Sequence, residues 1–311
     1  MILPNKVRIR EVVLRDGFQS WPEFVPTKTK LEIIKAVMAA GVTEFETTAF
    51  VSPKAVPQMA DALEVVKAVP REGATHAALV PNLRGAENAV AAGVDQLNVV
   101  ISASEAHNMA NFRRPIADSL AALEPIFQLA RKNHVEVVGA VAVAFGCPFS
   151  GEVPAADVIK LIETYVDYGS EAIALGDTTG MATPLRLQQL AGSIMDRFPD
   201  KPLSLHLHNN RGTGMANLLA GLQVGVTRFD AALGGIGGCP NVPQASGNLA
   251  TEDVVCMLED MGIDTGINLE VLLDAARFLE KNLKQVLPGQ VLKSGPILPA
   301  QGACGAKQFG N

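Results

Sequence analysis

The chain alternates between short apolar segments and amphipathic segments eight times, at a spacing of roughly 30 residues. Near-continuous apolar runs are typical of parallel strands that are buried on both faces, and the amphipathic runs predict helices that cover them. The predicted strands are 7–15, 44–50, 75–81, 96–102, 135–145, 171–178, 203–209 and 228–234. The predicted helices are 26–40, 53–69, 84–92, 116–132, 155–168, 184–198, 214–224 and 251–261.

Eight such units predict an α/β fold, a (β/α)8 TIM barrel, with the helices outside a closed parallel sheet. An open doubly wound sheet is the competing fold, but no Gly-x-Gly-x-x-Gly segment opens a helix and no Walker loop is present. One extra C-terminal helix is predicted over 268–287. We therefore expect a catalytic barrel domain over residues 1–287, followed by an irregular tail over 288–311 that is rich in Gly, Pro and Gln.

Composition excludes several classes of protein. Of the 311 residues, 48% are hydrophobic and 19% are charged, which supplies a large core and is too apolar for a disordered chain. A net charge of −6 without a long basic run argues against nucleic-acid binding. We expect no membrane span and no signal peptide, and hence a cytoplasmic protein. The four cysteines form no CxxC pair, so neither a disulfide framework nor a thiolate zinc site is indicated.

The predicted seventh strand, Leu-Ser-Leu-His-Leu-His-Asn at 203–209, carries the clearest chemical signal. Because side chains alternate along a strand, His206 and His208 project side by side from one face while the leucines bury the other. Two such histidines can share one metal ion, and the alternative is a pair of hydrogen-bonded core histidines.

Other polar residues fall at the carboxyl ends of predicted strands, where barrels of this kind carry their chemistry. Arg15 and Asp16 end the first strand, Glu46 lies in the second and Asp177 ends the sixth. Asn248 follows the eighth unit. Asp16, His206, His208 and Asn248 together form an oxygen and nitrogen ligand set without thiolate, which favours Mg²⁺ or Mn²⁺, with Zn²⁺ as the second choice. For Asp16 alone, a turn residue before Gly17 is the alternative.

A glycine-rich loop at 234–240 ends in Cys239-Pro240. Its glycines permit positive φ angles and close approach to a ligand, so the loop can fold over a site as a lid; a flexible surface turn is the alternative. A thiol near its reference pKa of about 8.5 is mostly protonated at pH 7. Cys239 can therefore donate a proton to a carbanion or act as a nucleophile.

Six segments together resemble the 3-hydroxy-3-methylglutaryl-CoA (HMG-CoA) lyase family, in order, from about residue 7 to residue 287. They are Arg-Asp-Gly-Phe-Gln at 15–19, Glu-Thr-Thr-Ala-Phe-Val-Ser-Pro-Lys at 46–54, Leu-Gly-Asp-Thr at 175–178, His-x-His at 206–208, Gly-Gly-Ile-Gly-Gly-Cys-Pro at 234–240, and Ser-Gly-Asn-Leu-Ala-Thr-Glu-Asp at 246–253. The resemblance implies that Asp16, His206, His208 and Asn248 surround a divalent cation. It also implies catalytic roles for Arg15, Glu46, Asp177 and Cys239, and it makes a homodimer the expected assembly. As the general base we expect His206, or Asp16 acting through the metal shell.

Three departures from the family pattern bear on the substrate. Asn209 stands where the family usually has aspartate, and Ala55 stands where it typically has tryptophan. The segment 104–108 also differs. None of these removes a predicted ligand.

The implied reaction is metal-dependent cleavage of HMG-CoA to acetyl-CoA and acetoacetate. Its setting is leucine breakdown or the degradation of another acid. A lyase for a related 3-hydroxyacyl-CoA such as citramalyl-CoA is the first alternative, and a non-catalytic metal- or ligand-binding barrel is the second.

Overall fold

The computed structural model describes residues 3–238 and 247–296, and within them eight parallel strands close into a barrel in the order β1 to β8, with β8 pairing back to β1. The strands are β1 (Arg8–Glu11), β2 (Glu44–Ala49), β3 (Thr75–Leu79), β4 (Gln96–Ser102), β5 (Glu136–Ala142), β6 (Ala172–Asp177), β7 (Leu203–Leu207) and β8 (Arg228–Ala231). The predicted TIM barrel is confirmed.

Helices surround this barrel in the predicted alternation. They are α1 (Thr27–Ala39), α2 (Ala62–Ala68), α3 (Leu83–Ala92), α4 (Glu105–Phe112), α5 (Ile116–Asn133), α6 (Ala155–Tyr168), α7 (Pro184–Arg197), α8 (Gly214–Gln223), α9 (Thr251–Asp260), α10 (Leu269–Leu283) and α11 (Val291–Ser294). None of the helices within the described ranges is long and apolar enough to cross a membrane.

The core lies between the barrel wall and the helices, and Tyr165 on α6 illustrates how closely the two layers pack. Its ring lies over Gly139 of β5, where an added Cβ atom would come within 2.5 Å of a ring carbon. The Tyr165 hydroxyl donates to the carbonyl of Ala140 at 2.9 Å. Glycine at this strand position therefore makes room for the largest side chain that is fully buried in the core.

Several predicted element bounds are wrong. The first strand ends at Glu11 rather than at residue 15, because a π-helical turn (Val13–Gly17) follows it. The fifth and eighth strands end at Ala142 and Ala231, each before a loop with positive-φ residues. The extra helix α10 ends at Leu283, because Lys284 adopts a left-handed conformation.

Two helices also differ from the prediction. Helix α2 begins at Ala62, after a single 3-10 turn (Pro57–Met59), instead of at residue 53. Helix α4 was not predicted, although the Ser104 hydroxyl caps it by accepting the His107 backbone N–H. In the predicted irregular tail, α11 forms one turn, and residues 297–311 lie outside the described residues.

Candidate active site

The π-helical turn after β1 places Arg15 and Asp16 at the carboxyl end of the barrel. The carbonyl oxygen of Val12 accepts the backbone N–H groups of Arg15, Asp16 and Gly17, at 3.2, 2.8 and 3.2 Å. Below the turn, the buried carboxylate of Glu11 accepts the N–H of Val13 at 2.9 Å. These three hydrogen bonds to the Val12 carbonyl take the place of the hydrogen bonds between strands. The turn that they form brings the consecutive side chains of Arg15 and Asp16 to the mouth of the barrel.

His206 and His208 meet Asp16 at this mouth. The Nε2 atoms of the two histidines lie 3.1 Å apart, which confirms that the side chains share one face. Asp16 Oδ2 lies 3.7 Å from His206 Nε2 and 3.6 Å from His208 Nε2. One ligand atom from each residue falls within 4.8 Å of the other two, an arrangement that can hold a metal ion.

Asn248 completes the predicted ligand set. Its backbone pairs with that of His208 in an antiparallel bridge, and its Nδ2 donates to Asp16 Oδ2 at 2.7 Å and to the carbonyl of Ile236 at 3.1 Å. The remaining oxygen, Oδ1, is buried without a hydrogen-bond partner in the part of the chain that is described. A buried acceptor of this kind needs a donor or a cation, so the residues present fit a divalent metal ion.

Arg15 is held by two carboxylates. Its Nε donates to Glu46 and its Nη1 to Asp16. Glu46 also accepts the Nδ2 of Asn98 at 2.6 Å, so both of its carboxylate oxygens are engaged. Burial alone would raise the pKa of Asp16, but the Arg15 guanidinium and the two histidines outweigh burial and hold that pKa well below its usual range. Asp16 is therefore ionised at neutral pH, as a carboxylate that binds a cation needs to be.

Comparison with known proteins agrees with this geometry. Residues 6–279 match the family model described as HMGL-like. Hydroxymethylglutaryl-CoA lyase YngG of Bacillus subtilis is 42% identical over 298 residues, which cover 94% of this chain and all of the relative. The chain belongs to the HMG-CoA lyase family.

Solved structures extend the match to three dimensions. The crystal structure of the Bacillus subtilis HMG-CoA lyase superposes with a TM-score of 0.92 at 41% identity, covering 94% of this chain and 99% of that one. An HMG-CoA lyase from Acinetobacter baumannii, in complex with coenzyme A and 3-methylmalate, gives a TM-score of 0.91 at 40% identity and covers 96% of this chain and 99% of that one. A second enzyme name also occurs at high identity: (R)-citramalyl-CoA lyase of Chloroflexus aurantiacus is 42% identical over 304 residues, covering 94% of this chain and 96% of the relative.

Asp177 of this lyase lies at the end of β6 and has two different oxygens. Oδ1 accepts the backbone N–H groups of Met181 and Ala182, at 2.7 and 3.0 Å, and so shapes the loop before α7. Oδ2 is buried and has no partner in the described ranges. Burial raises the pKa of Asp177, although the two N–H groups and the nearby His208 and Arg211 oppose the rise. Oδ1 is thus engaged by the loop, and Oδ2 is left without a hydrogen-bond partner among the described residues.

The described part of the glycine-rich loop, residues 234–238, lies against Asp16 and Asn248 of the predicted ligand set. Gly234, Gly235, Gly237 and Gly238 all have positive φ, as the sequence predicted for a loop that approaches a site closely. A Cβ atom on Gly237 would come within 2.4 Å of Asn248 Nδ2. Cys239, predicted as a catalytic residue, lies outside the described residues, which resume at Gly247.

A cavity of about 670 Å³ opens between α4, α5 and α6, and its lining includes none of these residues. Its wall includes Glu105, Glu152 and Asp157 against one basic residue, Lys160, over an apolar floor. The excess of carboxylates disfavours phosphate groups at this position.

Sequence reasoning missed residues that support the site from inside the barrel. Asp230 on β8 bonds to His206, and Asn98 on β4 bonds to Glu46. The available signal for Asp230 was its position between the apolar residues Phe229 and Ala231 of a strand buried on both faces. A charged residue there needs a partner inside the barrel.

Proposed function

We propose that this lyase cleaves HMG-CoA to acetyl-CoA and acetoacetate with the help of Mg²⁺ or Mn²⁺. The observation that carries the proposal is the convergence of Asp16, His206, His208 and the unpartnered Asn248 Oδ1 beside the guanidinium of Arg15. A divalent cation held by these four residues would supply Lewis-acid stabilisation of the negative charge that develops on the 3-hydroxyl oxygen of the substrate.

In this proposal, Arg15 stabilises the thioester enolate that C2–C3 cleavage leaves behind. Its hydrogen bonds within the described residues use Nε and Nη1, which leaves Nη2 for a substrate oxygen. Glu46 and Asp16 fix the guanidinium plane before substrate arrives. A preorganised donor of this kind typically contributes about 3 to 4 kcal/mol of transition-state stabilisation.

Asp177 is the better proton acceptor for the 3-hydroxyl among the groups near the histidines. The lowered pKa of Asp16 makes that carboxylate a weak base. His206 has both ring nitrogens engaged, Nδ1 with Asp230 and Nε2 in the ligand set. Asp177 combines an available oxygen with a raised pKa, which brings its proton affinity closer to that required at neutral pH.

Cys239 would then protonate C2 of the enolate to give acetyl-CoA, since a neutral thiol is a suitable proton donor to a carbanion. The Cys239→Ala variant is expected to lose turnover while it retains metal binding. Unchanged turnover in that variant would remove Cys239 from the chemistry.

Citramalyl-CoA is the second candidate substrate, because a citramalyl-CoA lyase is as similar to this chain as the Bacillus enzyme is, and because Ala55 replaces the family tryptophan. The two thioesters share the tertiary hydroxyl but release different keto acids, acetoacetate and pyruvate. Values of kcat/KM for both, with the keto acid identified, test the proposal. A preference for HMG-CoA supports it, and a preference for citramalyl-CoA replaces the substrate while keeping the residue roles.

The proposal extends to the setting of the reaction. We propose a homodimer that acts in the cytoplasm in leucine breakdown. Light scattering on the purified protein tests the assembly, and a single-chain mass with full activity would contradict it.

A further inference from the structure

Three polar residues stand in register on adjacent strands inside the barrel. Arg10 of β1 pairs with Asp230 of β8, and Asp230 pairs in turn with His206 of β7. Residues in register on neighbouring parallel strands point to the same side of the sheet. The row therefore connects Arg10, through Asp230, with the predicted metal ligand His206.

Hydrogen bonds follow this row. Arg10 contacts Asp230 in bidentate fashion, with Nε to Oδ1 and Nη2 to Oδ2 both at 2.8 Å. Oδ2 of the same carboxylate lies 3.1 Å from Nδ1 of His206. Asp230 is only 3% exposed, so this carboxylate has little access to bulk water and depends on these two partners.

The contact with Asp230 determines which nitrogen of His206 carries the proton. An ionised carboxylate can only accept hydrogen bonds, so His206 must donate from Nδ1. In the neutral imidazole, the lone pair then lies on Nε2, the atom that faces His208 and Asp16. The bidentate guanidinium keeps the carboxylate ionised and fixes its plane.

We propose that Asp230 and Arg10 are positioning residues for the cation site: Asp230 sets the tautomer and ring orientation of His206, and Arg10 holds Asp230 in place. The inference rests on the proposed function, because it concerns the cation that the four ligands would bind. Carboxylates that orient a metal-bound histidine through its second nitrogen are usually needed for full metal affinity, and their loss costs about 10- to 100-fold.

The same arginine also reaches the Arg15 side of the site. Arg10 Nη1 lies 3.4 Å from Asn98 Oδ1, and the Nδ2 of Asn98 donates to Glu46, the carboxylate that holds Arg15. Arg10 thus contacts two series of hydrogen bonds, one that ends at His206 and one that ends at Arg15.

The test is the affinity for Mn²⁺, measured by the electron paramagnetic resonance signal of free Mn²⁺ in a titration of the full chain. In the double variant Arg10→Met with Asp230→Leu, no uncompensated charge remains in the barrel, so the fold should persist. We expect the Kd for Mn²⁺ to rise about 10- to 100-fold. A Kd within about two-fold of the unsubstituted value in the folded double variant would overturn the proposal.

The matched control is the buried ion pair of Lys30 and Asp61, whose Nζ–Oδ1 distance is 2.6 Å and whose side chains are 3% and 6% exposed. It joins α1 to the residue before α2 and shares no hydrogen bond with the ligand set in the described ranges. The double variant Lys30→Met with Asp61→Leu should leave the Kd for Mn²⁺ unchanged. An equal loss of Mn²⁺ affinity in this control would show that the loss of any buried ion pair disturbs the cation site. That result would also overturn the proposal.

A second measurement determines the tautomer of His206 in the unsubstituted protein. In the metal-free protein with ¹⁵N-labelled histidine at alkaline pH, long-range ¹H–¹⁵N spectra should show His206 protonated at Nδ1, with its signals identified by their loss in His206→Gln. An Nε2-protonated His206 would refute the proposed tautomer. The outcomes also separate the two proposals. Mn²⁺ binding without thioester cleavage contradicts the proposed function alone, and equal Mn²⁺ affinity in the Arg10/Asp230 variant contradicts the positioning role alone. Absence of Mn²⁺ binding by the unsubstituted protein contradicts both.

Discussion

Replacing Glu252 by glutamine should make this protein more stable at alkaline pH. Glu252 lies in the first turn of α9 with 0% exposure, and one of its oxygens accepts the N–H of Gly234 at 3.0 Å. Its Oε1 has no partner among the described residues, and the backbone at Gly289 passes so close that a Cβ atom there would lie 2.1 Å from it. Burial raises the pKa of Glu252 to about 8, against the opposing effect of the Gly234 N–H.

The sign and the magnitude follow from this pKa. A carboxyl group whose pKa is higher in the folded state contributes stability that is fully present below its unfolded pKa of 4.5 and is lost as pH rises to about 8. At about 1.4 kcal/mol per pH unit, the whole rise corresponds to about 5 kcal/mol, of which about 4 kcal/mol falls between pH 5 and pH 9. Glutamine resembles the protonated acid and does not ionise, so Glu252→Gln should lack this loss.

Urea unfolding at pH 5 and at pH 9, with a chelator present, measures the effect. We expect the unfolding free energies of variant and unsubstituted protein to differ by about 4 kcal/mol more at pH 9 than at pH 5, in favour of the variant. The buried neighbour Glu11, whose pKa burial raises to about 7, is present in both proteins, so most of its contribution cancels in the difference. Glu64→Gln on the exposed face of α2 is the control and should show no such difference. Unfolding free energies that change equally with pH in Glu252→Gln and the unsubstituted protein would show that ionisation of Glu252 does not destabilise the fold.

Three further substitutions test the site and the core. Asp177→Asn keeps an acceptor for the loop N–H groups but cannot take a proton. Its kcat should therefore fall about 10²- to 10⁴-fold, with the Kd for Mn²⁺ unchanged. Normal turnover would exclude Asp177 as the base. Gly139→Ala places a Cβ atom 2.5 Å from the ring of Tyr165 and should lower the unfolding free energy by about 1 to 3 kcal/mol, and an unchanged melting temperature would contradict that packing. Gly247→Ala would have an unfavourable φ of +76° and a Cβ atom 2.2 Å from the Gly237 carbonyl oxygen. The substitution should therefore displace the adjoining residue Asn248 and weaken Mn²⁺ binding. Full affinity for Mn²⁺ would show that the loop can shift without displacing Asn248.

The seventh strand shows how much of the site could be predicted from sequence. Period-two alternation in 203–209 placed His206 and His208 on one face, and their Nε2 atoms lie 3.1 Å apart in the structure. The closure of the barrel then brings Asp16 and Asn248 to the same point, although they are 232 residues apart in the chain. Local alternation and the topology of the barrel were sufficient for these four residues, because the two histidines alternate along β7 and the loops that carry Asp16 and Asn248 follow β1 and β8 at the same end of the barrel.

The interior supports could not be predicted in the same way. Arg10 and Asp230 lie on strands that carry other charged residues, Arg8 and Glu11 on β1 and Arg228 on β8. Nothing local indicates that Arg10 and Asp230 lie opposite each other. Their pairing depends on the register between β1 and β8, which is set only when the barrel closes. Register of this kind is a property of the whole sheet.

The turn after β1 was missed for a related reason. Val-Val-Leu-Arg at 12–15 has high strand propensity, so the predicted strand continued to Arg15. The structure ends it at Glu11, where a buried carboxylate accepts N–H groups from Val13 and Leu233 and the hydroxyl of Thr251. Leu233 and Thr251 come from distant parts of the chain, so the contacts that override the local preference cannot be read from the local sequence.

Thioester cleavage by this protein should depend on a divalent cation bound by Asp16, His206, His208 and Asn248. Acetyl-CoA release from HMG-CoA tests this dependence when it is measured with Mg²⁺ or Mn²⁺, after chelation and after the metal is restored, with Asp16→Asn run in parallel. We expect release that chelation abolishes and metal restores, and no release by the Asp16→Asn variant. Undiminished release after complete chelation, or full activity of that variant, would contradict it.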